Sequence, residues 1–303
     1  MPPRNQKETT YGFIAALAAF LAWGLLPAYW KLLISVDPLE ILSHRIIWSL
    51  IFIAVVLTFK NRWAETFAPM RSPKNLGILV LSSLFIGINW LVYIWAVNTN
   101  HVIETSLGYY ITPLVNVLFG FMFFKERLKP LQIVAIGLAA LGVGNSVFSY
   151  GEIPWISLTL AFSFAAYGLL RKIAAVESLP GLFLETMVLV PAALFYLIKL
   201  QSEGASALFA GNVSIDLLLV GAGAATAMPL IGFAFAARRL QLTTLGLLQY
   251  TAPSIAFILG VFVFKEPFGP SHLLTFALIW AGLAIYTTES LWTMRKHKQR
   301  TSQ

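Results

Sequence analysis

Apolar residues in this chain gather in long unbroken runs, without the short alternations of polar and apolar positions that mark half-buried strands. Ten runs stand apart, at about residues 10–33, 40–59, 75–97, 104–124, 129–148, 153–171, 181–199, 215–237, 243–264 and 270–292. A helix needs ~20 mostly apolar residues to cross the hydrocarbon of a bilayer, so the pattern predicts an all-α membrane protein of ten spans. Charge and proline mark the breaks, among them Lys60 to Lys74, Lys125 to Pro130, Arg171 to Pro180 and Arg238-Arg239. The narrowest break is Val36 to Leu39, where Asp37-Pro38 predicts a tight turn. Most connections are short, so successive helices are expected to be antiparallel neighbours. The first run exceeds the core of a secretory signal and leads straight into another span, so a retained helix is expected there.

Composition sharpens the class. The 303 residues are 58% hydrophobic and 11% charged, with a mean hydropathy of +0.77. Soluble domains carry roughly 25% charged residues, so a soluble enzyme, a disordered chain and a DNA-binding module are all excluded. Without cysteine there are no disulfides, thiolate metal sites or cysteine nucleophiles. The net charge of +8 reads as topology once it is mapped onto the spans. An even number of spans puts both ends on one side. If that side is cytoplasmic, its segments hold seventeen of the lysines and arginines. The opposite side holds three, Lys31, Lys199 and Lys265, and Arg45 lies within a span. Positive charge near span ends stays on the cytoplasmic side. A multi-pass protein of a bacterial-type inner (plasma) membrane, with both termini cytoplasmic, is therefore expected.

The chain also repeats itself. At an offset of 140 residues Tyr110 meets Tyr250, Pro113 meets Pro253, and Gly120 meets Gly260. Phe124-Lys125-Glu126 meets Phe264-Lys265-Glu266, Pro130 meets Pro270, and Gly142 meets Gly282. Each half holds five spans, an odd number, so the second crosses the membrane in the opposite sense to the first. The expected organisation is a five-helix repeat at 1–148, an inverted copy at 149–294 and a basic cytoplasmic tail at 295–303. Inverted repeats of this kind recur in secondary transporters, where the halves rock around a midplane site.

The paired P-x12-E stretches and the five-plus-five layout resemble the EamA family of the drug/metabolite transporter superfamily. Within it the chain is similar to the RarD-type permeases, through Ala22–Tyr29 (AWGLLPAY), Glu40–Ser49 (EILSHRIIWS), Asn89–Asn98 (NWLVYIWAVN), Glu104–Asn116 (ETSLGYYITPLVN) and Phe162–Lys172 (FSFAAYGLLRK). The resemblance implies an inner-membrane permease associated with chloramphenicol sensitivity or resistance. It supplies no physiological cargo, although related exporters handle amino acids and other small metabolites, often aromatic.

Charged residues within spans are disfavoured by ~2.5–3.5 kcal/mol near the helix centre, which singles out a few positions. Arg45 offers a planar, permanent charge for an anionic group, and His44 changes charge near neutral pH. Alternatively, Arg45 snorkels outward or pairs with Glu104 or Glu40 as a clamp. Glu185, the only carboxylate well inside the seventh span, is with His44 a proton-coupling candidate; otherwise it neutralises Arg171 or Lys172. Asn89, Trp90, Tyr93 and Asn116, extended by Trp23, Tyr110, Tyr167, Gln249 and Tyr250, form a polar and aromatic set suited to an amphiphilic solute. The same groups equally serve to hold helices together. Glu126 and Glu266 invite a gating role, against the simpler expectation of helix-end salt bridges with Lys125 or Arg127 and with Lys265.

No Walker loop, HExxH or GxSxG occurs, and the four histidines are dispersed. No catalytic residue, metal or cofactor is expected, nor any nucleic acid, and the partners are a small-molecule substrate and membrane lipids. The missing phosphate loop excludes ATP-driven pumping by this chain alone. A secondary permease for small amphiphilic metabolites or drugs, amino-acid-like or chloramphenicol-like, is the leading expectation, working by alternating access and exporting. An importer or exchanger on the same fold, or a non-transporting scaffold or sensor, are the alternatives.

Overall fold

The computed structural model describes residues 6–125, 127–151, 153–174, 176–237, 239–240, 244–245 and 248–300. Its elements in order are α1 (Gln6–Lys31), α2 (Pro38–Phe59), α3 (Trp63–Phe67), α4 (Pro73–Asn98), α5 (Val102–Phe124) and α6 (Pro130–Tyr150). There follow α7 (Trp155–Ala174), α8 (Ser178–Ser202), α9 (Val213–Ala237), α10 (Thr251–Ile258, continued by a π turn over Leu259–Val263) and α11 (Pro270–Arg300). Among the described residues nine helices are long and apolar enough to span a membrane, and Thr251–Val263 is a shorter apolar one. Glu126 and the first residues expected of the ninth span, 243, 246 and 247, lie outside the described residues.

Local chemistry sets the helix ends. At α2 the Asp37 carboxylate accepts from the backbone N–H of Leu39 at 2.8 Å and Glu40 at 3.3 Å, with Pro38 in the first turn. This satisfies donors that the helix itself leaves orphaned. At α4 the Ser72 hydroxyl accepts from Asn75 N–H. Lys125, after α5, and Lys265, after the π turn, both take left-handed backbone, with φ of 53° and 54°. Two side-chain-bearing residues in that sparse region, at matching places in the sequence, mark the same turn made twice.

Large apolar side chains such as Phe59 (87% exposed), Phe148 (92%) and Phe195 (74%) point outward, as a lipid-facing surface requires. Inside, helices pair across the halves: α1 against α9 and α10, α2 against α8 and α9, α4 against α7 and α8, α5 against α7 and α10, and α6 against α11. Exchanging α1 for α7, α2 for α8, α4 for α9, α5 for α10 and α6 for α11 returns the same pairs. Contacts at α6 and α11 are reciprocal to the residue. A Cβ built on Gly142 would stand 3.1 Å from the Thr275 carbonyl oxygen, and one on Gly282 would stand 2.8 Å from that of Ala135. Thr275 and Ala135 are themselves 140 residues apart. Each glycine lets the facing backbone approach, as small residues do in membrane helix pairs.

Polar contacts sort onto two faces. One carries Arg239 with Glu8 (2.7 Å), Arg62 with Glu177 (2.8 Å) and Lys129 with Glu289 (2.7 Å). Hydrogen bonds from Arg62 to Glu177 and to Glu65 hold its guanidinium above its ordinary pKa. The other face carries Lys31 with Asn100 (2.5 Å), Tyr196 with Asp37 (3.1 Å) and Asn145 with Ser271 (3.0 Å). Glu266 does not pair with Lys265. Its two carboxylate oxygens accept from the N–H groups of Val102 and Ile103, both at 2.8 Å, in the first turn of α5. The left-handed Lys265 leaves its own side chain exposed and Glu266 buried, beside orphan donors and the positive end of the helix dipole.

Candidate functional site

Arg45 lies roughly 10 Å along α2 from Pro38, at 1.5 Å per residue. It is 5% exposed. Its guanidinium carbon stands 4.3 Å from the ring centre of Trp90, on α4, and 5.3 Å from that of Trp30, near the end of α1. Its Nε and Nη1 have no hydrogen-bond partner. Neither carboxylate suggested by the sequence meets it. Glu40 instead accepts from Ala207 N–H at 2.7 Å and from the Ser206 hydroxyl at 3.2 Å, which fastens the connection between α8 and α9. His44 faces that carboxylate, with Nε2 3.8 Å from Glu40 Oε1, so the adjacent candidates serve different surroundings. A ring–cation contact contributes ~0.5–2 kcal/mol, whereas a buried charge costs several kcal/mol unless paired. The indoles alone do not offset the burial of Arg45.

Asn89 and Tyr93, one turn apart on α4, extend this wall. Tyr93 meets Tyr109 edge to face, with ring centres 5.8 Å apart. The Asn89 amide donates to the Leu160 carbonyl at 3.1 Å and to Ser163 Oγ at 3.0 Å, and it accepts from the Tyr109 hydroxyl at 3.1 Å. With both ends engaged, Asn89 ties α4, α5 and α7 and fixes the ring of Tyr109.

Glu185 belongs to a second, fully buried group near the other face. Its Oε1 accepts from Ser82 Oγ at 2.8 Å and lies 3.6 Å from Arg171 Nε, while Oε2 accepts from the Tyr167 hydroxyl at 3.1 Å. Ser82 on α4 and Tyr167 and Arg171 on α7 thus surround the α8 carboxylate.

A third group joins the matched tyrosines. Tyr110 and Tyr250 stack with ring centres 6.3 Å apart, and the Tyr110 hydroxyl is 2.6 Å from Ser254 Oγ. With Trp280 they line a cavity of about 480 Å³ that runs along α11 to Thr288. A second cavity, of about 290 Å³, holds Asn116 with Arg127, Gln132 and Tyr286 at the face of the Lys129–Glu289 pair. Trp23 stands apart, against Phe20 and Phe233, and Gln249 is exposed. Sequence reasoning missed Trp30 and Ser82. Trp30 sits at a span end, where an indole reads as an interface anchor, and Ser82 reads as ordinary small-residue packing. Among the described residues no group of His, Asp and Glu could hold a metal ion.

A bundle of apolar, membrane-length helices with a charged residue buried in an aromatic wall defines a multi-pass transporter. The family model described as the EamA-like transporter family matches residues 10–147. "Uncharacterized transporter YojE" of Bacillus subtilis is 49% identical, over 92% of this chain and 94% of its own. "Protein RarD" of Salmonella typhi is 43% identical, over 96% and 99%. "Chloramphenicol-sensitive protein RarD" of Pseudomonas aeruginosa is 32% identical, over 95% and 97%. A solved crystal structure shares the fold, with a TM-score of 0.58 at 19% identity over 91% of this chain and 96% of that one. The chain belongs to the EamA-like transporter family and is a RarD-type membrane transporter, not an enzyme.

Proposed function

We propose that the protein is a secondary permease that moves small amphiphilic metabolites across a bacterial inner membrane by alternating access, in the direction of export. Residues 1–148 and 149–294 act as two inverted five-helix halves. The face bearing Arg62, Lys129 and Arg239 is cytoplasmic and carries both termini, in keeping with the positive-inside rule. The observation that carries the mechanism is the reciprocal seat of Gly142 against Thr275 and Gly282 against Ala135, which supports a pseudo-two-fold axis lying in the membrane. Two mirrored halves give two exchangeable arrangements of one chain, which is what rocking around a midplane site needs.

The present arrangement supports closure at the face opposite the basic one. There Glu266 fastens the start of α5, and Lys31 reaches Asn100. Both cavities lie toward the basic face. The solute contacts we assign first are Arg45, Trp90 and Tyr93, with Tyr110 and Tyr250 along the route. His44 and Glu185 are the groups able to couple a proton, and each already has partners that a proton would disturb.

The test is flux. Purified protein in liposomes, offered a labelled metabolite mixture, should move at least one solute, and an imposed pH gradient should change the rate. Folded protein that moves nothing from a broad mixture would favour a scaffold or sensor instead.

A further inference from the structure

Arg45 is a charge that this structure buries without answering. Its burial, the absence of a partner at Nε and Nη1, and the two indoles beside it have been described above. The nearby polar groups are spoken for: Asn89 by Leu160, Ser163 and Tyr109, and Glu40 by Ser206 and Ala207. Among the described residues, then, no anion of the protein is left to neutralise it.

Resting on the permease reading, we infer that the cargo is an organic monoanion, a carboxylate on a flat apolar body, with Arg45 as its counter-ion. The argument runs through charge, shape and surroundings. Arg45 carries one positive charge, and a carboxylate cancels it. A phosphate monoester would leave a further negative charge buried, at a cost of several kcal/mol. The guanidinium is a planar fork that matches the two carboxylate oxygens in bidentate fashion. Trp30, Trp90, Tyr93 and Tyr109 present ring faces and edges, which suit an aromatic or similarly flat body. A neutral amphiphile would occupy the rings and leave the arginine as it was, so it loses the largest available gain. The solute-free protein closes its indoles over the guanidinium, and the solute's acid group takes up the unmade hydrogen bonds.

The probes are indole-3-acetate and its neutral isostere indole-3-acetamide, with indolyl phosphate and tryptophan as the dianionic and zwitterionic arms. Binding to purified protein is measured by calorimetry, and counterflow in liposomes by label exchange. Indole-3-acetate should bind at least 10-fold more tightly than the amide, and the phosphate and tryptophan should fall behind it. Arg45→Gln, which keeps hydrogen-bond donors but not the charge, should erase the preference for the acid. Arg45→Lys, which keeps the charge but not the fork, should retain part of it. Equal binding of acid and amide by the unaltered protein overturns the inference, with no variant needed. So does an acid preference that survives in Arg45→Gln. If the amide exchanges as fast as the acid, the permease stands and the monoanion falls. If nothing in a broad mixture moves through folded protein, the permease reading falls as well.

Discussion

Arg45 on α2 and Glu185 on α8 stand 140 residues apart, on helices that exchange places under the mirrored pairing. Each lies about seven residues inside its span, Arg45 toward one face and Glu185 toward the other. Both are buried, at 5% and 0% exposed. Glu185 is met by Ser82, Tyr167 and Arg171, from two neighbouring helices, whereas Arg45 meets only rings. A buried charge with its hydrogen bonds made is a fastening between helices. One left unmade raises the free energy of the empty protein and is a place for something from outside. Matched positions in a repeat have thus diverged, one into structure and one toward a ligand.

The sharpest way to break this comparison is to remove each charge and weigh the folded protein. Glu185→Leu leaves Arg171, Ser82 and Tyr167 facing an apolar group. Losing one member of a buried pair costs about 3–5 kcal/mol, so thermal scans should show a large fall in the unfolding temperature and poor recovery of monodisperse protein. Arg45→Met should move the other way in the absence of solute, because a long apolar chain replaces an unanswered charge between the same rings. If both variants are equally destabilised, Arg45 has an internal partner and the contrast is lost.

Glu266 extends the comparison to a second carboxylate, opposite in depth to Glu185. Each of its two 2.8 Å bonds to the start of α5 is charge-assisted, worth about 1.5–3 kcal/mol to a charged group. Glu266→Ala should cost about 2 kcal/mol once water partly replaces the acceptor. It should also expose the start of α5 to water from that face. The natural absence of cysteine makes this readable: a single cysteine at Ser106 should label faster with an impermeant thiol reagent in Glu266→Ala than without it. Unchanged labelling would leave Glu266 as a helix cap with no part in closing that face.

The asymmetry in what could be read beforehand has a physical basis. Helix existence follows from apolar length, so the run at 40–59 became Pro38–Phe59 and that at 75–97 became Pro73–Asn98. The repeat was legible because Gly142 and Gly282 are fixed by backbone contact, which no larger residue satisfies there. The short helix Trp63–Phe67 was not, since five residues carry too little periodicity and its fixing contact, Trp63 on Phe183 at 5.1 Å, is distant in sequence. Arg45 and Glu185 stood out as charges within spans, but their fates depend on neighbours from other helices. Nothing local in Glu185 announces Ser82, and nothing local in Arg45 announces that Glu40 is already engaged by Ala207.

Arg62 supplies the control for the whole contrast and the smallest expected effect. It bonds two carboxylates, Glu177 at 2.8 Å and the nearby Glu65, and so has more ion-pair partners than Arg45 or Arg171. Yet it stands at the rim, and both of its partners are exposed. Water and salt screen such pairs, which are worth about 0–1 kcal/mol. Arg62→Ala should therefore shift stability by less than about 1 kcal/mol and leave the acid-over-amide binding preference intact. Raising the salt concentration should shrink even that shift, since rim charges are screened and buried ones much less so. A loss at Arg62 as large as that at Glu185 would mean that the number of partners, and not burial within the bilayer, decides what these charges are worth. The different fates of Arg45 and Glu185 would then follow from partner count alone, and the case for a ligand at Arg45 would lose its energetic footing.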